Sequence, residues 1–367
     1  MHRLVAASAV MLLMVAACGA PQEYDVVIRN GTIYDGWGGS PYRGDVAIDG
    51  DRIAAVGNVG RAVGTTEIDA AGLAVSPGFI NMLSWANESL IEDGLGQSDI
   101  RQGVTLEVFG EGSSMGPLSE TMKEGKLESQ GDIRYPIEWT TLGEYLVWLT
   151  GRGVAPFVAS FVGATTVRIH VLGYEDRAPT EAELDAMRAL VAQAMEEGAL
   201  GVGSSLIYSP AYYAGTDELI ALAEVAGAYG GMYISHIRGE GNRLLENVEE
   251  LITIAREAGV PAEIYHLKAS GRNNWGKLRQ VFDGINAARA SGVEVTANMY
   301  TYHASSTGLN AIMPSWVKEG GHDAWVARLK DPAIRARVIR EMTTPGGDWD
   351  NAYLAAGSPE NILLVGF

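Results

Sequence analysis

GGMYISHIRGEG (residues 230–241) and VPAEIYHLKASG (residues 260–271) share one grammar. Each is a short apolar run that ends in a histidine and then enters a polar, glycine-bearing turn. Between them, Leu244 to Ala258 places apolar residues at helical spacing: Leu244, Leu245, Val248, Leu251, Ile252 and Ala255. A strand, a crossover helix and a second strand make a βαβ unit, and such crossovers are parallel and right-handed. His236 and His266 then stand at the carboxyl ends of neighbouring parallel strands, where an α/β barrel carries its chemistry. One such histidine alone is more often a hydrogen-bonded structural residue. Two at the same position of consecutive units point to a pair of metal ligands.

The units continue outward from this core. Candidate barrel strands are Gly78–Leu83, Val104–Gly110, Ala155–Ser160, Leu200–Leu206, Met232–Ser235, Ala262–Tyr265 and Val293–Ala297. Thr180 and Glu183 form a capping box that opens a helix over Glu181–Glu197, which Gly198 closes. Thr216 is expected to cap the helix that runs to about Tyr229, with Asp217 and Glu218 in its first turn. Closure needs an eighth strand. Ile362–Phe367 is an apolar run with no helix after it, so the barrel is expected to be C-terminally incomplete.

Before Pro77 the texture is all β. Asn30-Gly31 and Asp49-Gly50 each lie between strand-like runs, predicting two hairpins in a small antiparallel, β-sandwich-like domain over residues 19–76. The barrel is assigned residues 77–367. The chain's 367 residues carry a formal net charge of −18, which argues against nucleic acid as a partner.

At the N-terminus, His2 and Arg3 precede an apolar run from Leu4 to Ala17, shaped like a signal segment and short for a membrane span. It ends Val15-Ala16-Ala17-Cys18-Gly19, which resembles a bacterial lipoprotein signal with Cys18 as the lipidated residue. The alternative is an ordinary cleaved signal with an incidental cysteine. Residues 1–18 are therefore set aside as a signal peptide, and an exported lipoprotein is expected, periplasmic or in the outer membrane. Its contact with membrane would be through the lipid at Cys18. Cys18 is the chain's one cysteine, so an intramolecular disulfide is excluded.

Seven segments together resemble the N-acyl-D-amino-acid deacylase (D-aminoacylase) branch of the amidohydrolase superfamily. They are DVVIRNGTIYDG, IDAAGLAVSPGFIN, IRQGVT, IYSPAYYAGTDELIALA, YISHIRGEG, YHLKASGRNNWGK and ANMYTYHASST, spread from about Tyr24 to Pro314. The resemblance implies a TIM-like (β/α)8 barrel with a small β domain. It also implies one or two divalent ions, usually zinc, and hydrolysis of the amide of an N-acyl amino acid. It places His236 and His266 on the tighter metal, and Lys268, Tyr208, Tyr300 and Ser306 against the substrate's carboxylate and acyl group. For the two tyrosines, packing at the barrel mouth is the competing explanation.

The chain departs from that pattern in three places. The first strand's His-x-His pair is replaced by Leu83-Ser84-Trp85, so a second ion loses its ligands. The cysteine ligand after the second strand aligns with Gly112, and neighbouring Glu111 is the one group near it that could replace the thiolate; a loop-capping role is the alternative. The general-base aspartate is expected beyond Phe367. Of the other histidines, His303 lies in the MYTYHASS turn, while His170 and His322 are expected at the surface. The site that can be assembled is Glu111, His236 and His266 with one open position, the pattern of a catalytic zinc site. Three functions remain open: deacylation of N-acyl-D-amino acids, hydrolysis of a cyclic amide or ureide, and a catalytically impaired lipoprotein acting as a binding module.

Overall fold

The computed structural model of the chain describes residues 20–347 and 349–365, so the signal segment and Cys18 lie outside the described residues. The chain divides into two compact units, with the boundary between Gly78 and Phe79.

The first unit is a five-stranded sheet built on one long strand. Strand β1 (Glu23–Ile33) pairs antiparallel with β2 (Tyr42–Asp49), which pairs antiparallel with β3 (Arg52–Gly57). On its other edge β1 runs parallel to β4 (Val63–Asp69) and then to β5 (Ala74–Val75). The sheet is therefore mixed, not antiparallel throughout. The hairpin expected at Asp49-Gly50 forms between β2 and β3. The one expected at Asn30-Gly31 does not: Asn30 takes φ +60° and the β1–β2 register shifts between Ile28 and Gly31, a bulge inside one strand. Tertiary partners hold β1 on course through that point. Asn30 donates its backbone N–H to Asp45 Oδ1 (2.9 Å) and its side-chain amide to Asp69 Oδ1 (3.0 Å).

The second unit is an α/β barrel architecture with parallel strands in sequential order. Strands β6 (Phe79–Asn81), β7 (Val104–Phe109) and β8 (Phe157–Ser160) form one run. The other comprises β9 (Val162–Gly163), β10 (Gly201–Ser205), β11 (Met232–His236), β12 (Ala262–Ile264) and β13 (Val295–Ala297). Strands β8 and β9 are two halves of one strand position, interrupted at Phe161, whose N–H still reaches Phe109 O (2.9 Å). All seven expected strand positions are thus occupied.

Helices α1 (Ala86–Glu92), α2 (Gln97–Ile100), α3 (Glu120–Ser129) and α4 (Leu142–Gly151) fall between β6 and β8. They are followed by α5 (Ala164–Leu172), α6 (Glu181–Glu196), α7 (Thr216–Ala228), α8 (Leu244–Ala258) and α9 (Leu278–Ala290). Beyond β13 come α10 (His322–Lys330), α11 (Pro332–Thr343) and α12 (Ala352–Ala355). The capping box of α6 is present in both directions between Thr180 and Glu183. Helix α8 buries Leu244, Val248, Leu251, Ile252 and Ala255, the apolar face its spacing predicts.

The cap expected from Thr216 is not made: Gly215 is the N-cap residue, and the Thr216 hydroxyl instead donates to Glu250 Oε1 of α8 (3.0 Å). The competing helix-to-helix partner wins over the local one. Most buried apolar side chains form one core. A smaller cluster of Val108, Phe161, Ile234 and Tyr265 draws one residue from each of four strand positions, as an interior layer of a barrel does.

Candidate metal centre

Three local features aim Glu111, His236 and His266 at one point. Glu111 lies two residues beyond β7 between Gly110 (φ +103°) and Gly112 (φ +73°), a pair of backbone settings that turns its side chain away from the strand direction. A Cβ built on Gly112 would sit 2.5 Å from Ser205 Cβ, so that position has no room for the cysteine aligned with it, and the carboxylate next door takes the place. His236 ends β11. His266 lies two residues past β12 with φ +37°, unusual for a residue with a side chain. Asn298, just after β13, holds that turn by accepting the His266 N–H at Oδ1 (2.7 Å) and the Leu267 N–H at its carbonyl (2.9 Å).

Glu111 Oε1 lies 3.2 Å from His236 Nδ1 and 3.1 Å from His266 Nε2. The two rings are 4.4 Å apart between centroids and nearly perpendicular, at 80°. All three ligand atoms lie within 4.8 Å of one another, and all three residues are buried. Ligands about 2.1 Å from a tetrahedral zinc stand roughly 3.4 Å apart, so the donor set fits such an ion. Burial pushes the Glu111 carboxyl up, but hydrogen bonds with His236 and His266 outweigh it and hold the group at about 2.

The second layer contains a residue the sequence did not single out. Glu240, buried in the turn after β11, lies 3.0 Å from His266 Nδ1 and 2.6 Å from Lys268 Nζ. A carboxylate on the far nitrogen fixes a ligating imidazole's tautomer and orientation. Burial lowers the His266 imidazole, and its contacts with Glu111 and Glu240 more than restore it, leaving it above the ordinary histidine value. Asp350, from the segment between α11 and α12, accepts the backbone N–H groups of Glu240 and of Gly241 (3.3 Å) and so braces the turn that carries Glu240. Glu240's place four residues after a candidate ligand, between two glycines, was a signal that could have been read. Nothing in the sequence ties Asp350 to this turn.

A cleft of about 1220 Å³ opens over the three candidate ligands. Lys268, Tyr208, Tyr300 and Ser306 all line it. Lys268 reaches back to Glu240 and lies 5.3 Å from the Tyr300 ring centroid. Tyr300 is 6.3 Å from the His266 ring. Tyr208 sits edge-on to His236 at 5.8 Å, its hydroxyl paired with Thr307 (2.8 Å). Leu83 and Trp85 line the cleft as well, and the Trp85 indole N–H donates to Glu111 Oε2 (2.9 Å). His303 is exposed and not on the cleft wall. His322 is exposed beside Asp323, whereas His170 is half-buried in the last turn of α5, not at the surface.

A D-aminoacylase from Alcaligenes xylosoxydans xylosoxydans is 35% identical over 290 residues, which cover 78% of this chain and 59% of that enzyme. The chain is a D-aminoacylase homologue of the amidohydrolase superfamily. A solved D-aminoacylase structure, from work on the functional role of its binuclear metal centre, superposes with a TM-score of 0.68 at 33% identity. It covers 76% of this homologue and 59% of the solved chain. The N-acyl-D-glutamate deacylase of Bordetella bronchiseptica, solved with zinc and a phosphonate mimic of the tetrahedral intermediate, superposes at 0.67 with 31% identity over 77% of this chain and 59% of its own. This D-aminoacylase homologue thus spans about three fifths of the length of the relatives it matches. No family profile matches the chain.

Proposed function

We propose that the protein is a metal-dependent amidohydrolase that deacylates N-acyl-D-amino acids, with one zinc ion held by Glu111, His236 and His266. The observation that carries this reading is the convergence of one carboxylate oxygen and two imidazole nitrogens at the carboxyl ends of parallel strands, beneath an open cleft. A divalent ion bound there supplies Lewis acidity toward an amide carbonyl and acidifies water. The chain's own residues do the rest. Glu111 stays ionised across the physiological range. Glu240 orients His266.

Lys268, Tyr208, Tyr300 and Ser306 take the substrate's carboxylate and acyl group. A lysine and several hydroxyls suit a free carboxylate, which needs a charge-assisted partner. Lys268 is paired with Glu240, so an incoming carboxylate shares that ammonium instead of meeting it bare. The homology to a D-aminoacylase and an N-acyl-D-glutamate deacylase supports the D-configured substrate class. Export as a lipoprotein anchored through Cys18, to the periplasm or outer membrane, belongs to the same proposal.

The test is zinc analysis together with a substrate panel of N-acetyl-D-amino acids, their L-forms and dihydropyrimidines. With the general-base aspartate expected beyond Phe367 supplied, we expect turnover of D-forms, loss on chelation and loss in His236→Ala. Turnover of dihydropyrimidines alone would replace this reading with a cyclic-amide hydrolase, and purified protein that retains no zinc would overturn the metal chemistry.

A further inference from the structure

The two oxygens of Glu111 have different jobs. Oε1 faces both imidazoles, at 3.2 and 3.1 Å. Oε2 is capped by the indole N–H of Trp85 at 2.9 Å. The tryptophan is 59% exposed, so its burial does not explain its placement; what it offers the interior is one donor aimed at a buried carboxylate. The turn that carries it is fixed independently of Glu111. Ser84 N–H donates to Val108 O (2.9 Å), Leu83 N–H to Asn81 Oδ1 (3.3 Å), and Ala86 N–H to Ser84 Oγ (3.1 Å).

We propose that Trp85 is a positioning residue: its indole N–H locks Glu111 with a single oxygen toward the two histidines and closes the other oxygen to a second cation. This role of Trp85 rests on the metal site of the proposed function and goes beyond it. A carboxylate that bridges two cations must give each one an oxygen lone pair. Here the outer oxygen meets a neutral donor on a rigid turn, and Leu83 on the same wall offers no ligand. The indole does for Oε2 what a second ion would do, satisfying the oxygen without adding charge. A Glu111 fixed in this way pays less conformational entropy on binding the first ion.

The experiment is a zinc titration by calorimetry with metal content by mass spectrometry, on the whole chain, its Trp85→Phe variant and the same change in a Glu111→Ala background. The cobalt-substituted protein adds a visible absorption spectrum as a readout of ligand geometry. We expect one ion per chain in the parent. Trp85→Phe keeps the ring and loses the N–H, so zinc Kd rises by about tenfold or more, in the range seen when a ligand's outer partner is removed. The cobalt bands shift, and the metal-free protein melts somewhat lower because a buried carboxylate oxygen loses its donor. In the Glu111→Ala background, Trp85→Phe changes zinc affinity no further.

Unchanged zinc affinity and an unchanged cobalt spectrum in Trp85→Phe would overturn the positioning role and leave the metal site standing. Two ions per parent chain would overturn the closing role alone. A parent chain that takes up no zinc would sink this inference together with the proposed function.

Discussion

Lys318 ends a short 3-10 helix, Ser315–Lys318, with its side chain buried, and burial alone pulls its ammonium down to about 8 from the usual 10.5. A base with a folded value below its unfolded one binds fewer protons folded than unfolded between those two values. Stability therefore rises with pH across the window from about 8 to 10.5. Below the window the full cost of the buried charge is present, about 3 kcal/mol as an order of magnitude. Lys318→Met should raise stability by up to that amount at pH 7 and flatten the rise above pH 8, measured by urea denaturation at several pH values. At the candidate metal centre, the positions of His236 and His266 were legible because each closes an apolar run at the same point of a repeated unit. Glu111 was legible as the one group near a missing cysteine. Its division of labour between two oxygens was not, because that depends on an indole 26 residues away.

Helices α5 and α7 are joined by a buried ion pair, Arg168 to Glu218 at 2.5 Å, with both side chains almost fully buried. Glu218 lies in the first turn of α7, as the sequence predicts, favourable to the helix dipole. The structure keeps that position and adds a cation from another helix. Arg168 also donates to the carbonyls of Glu175 (3.2 Å) and Arg177 (2.5 Å), so one guanidinium ties α5 to the loop before α6 and to α7. Removing one partner strands a buried charge: Glu218→Leu should cost about 3–5 kcal/mol in denaturant unfolding. Adding Arg168→Met should recover part of that loss. Recovery stays incomplete, because two loop carbonyls lose their donor. A double variant no better than Glu218→Leu would show that the pair is not the source of the cost. Elements whose ends are set locally, such as α6 with its capping box, were readable in advance. The bulge in β1 was not, because Asp45 and Asp69 select it from 15 and 39 residues away.

For the molecule as a whole, the site joins points far apart in the chain: Glu111 is 125 residues from His236 and 155 from His266. Among the described residues no helix is long and apolar enough to cross a membrane. On our proposal the protein is attached to the membrane through Cys18. Cys18→Ser should move the protein from the membrane fraction to the soluble one and abolish palmitate labelling. An unlabelled parent chain would remove the lipoprotein reading and leave the barrel untouched.

What the sequence determined by itself was periodic and local: the βα alternation, the strand ends, the two histidines, the apolar face of α8 and the capping box of α6. These follow from side-chain spacing and from bonds a few residues long, which one-dimensional order already contains. Only the tertiary structure decided that Glu240 bridges His266 and Lys268, that Asp350 braces its turn, that Trp85 faces Glu111 and that Asn30 bulges instead of turning. Each depends on dihedral angles at a few residues, such as Gly110, Gly112 and His266, and on distances set when remote strands pack side by side.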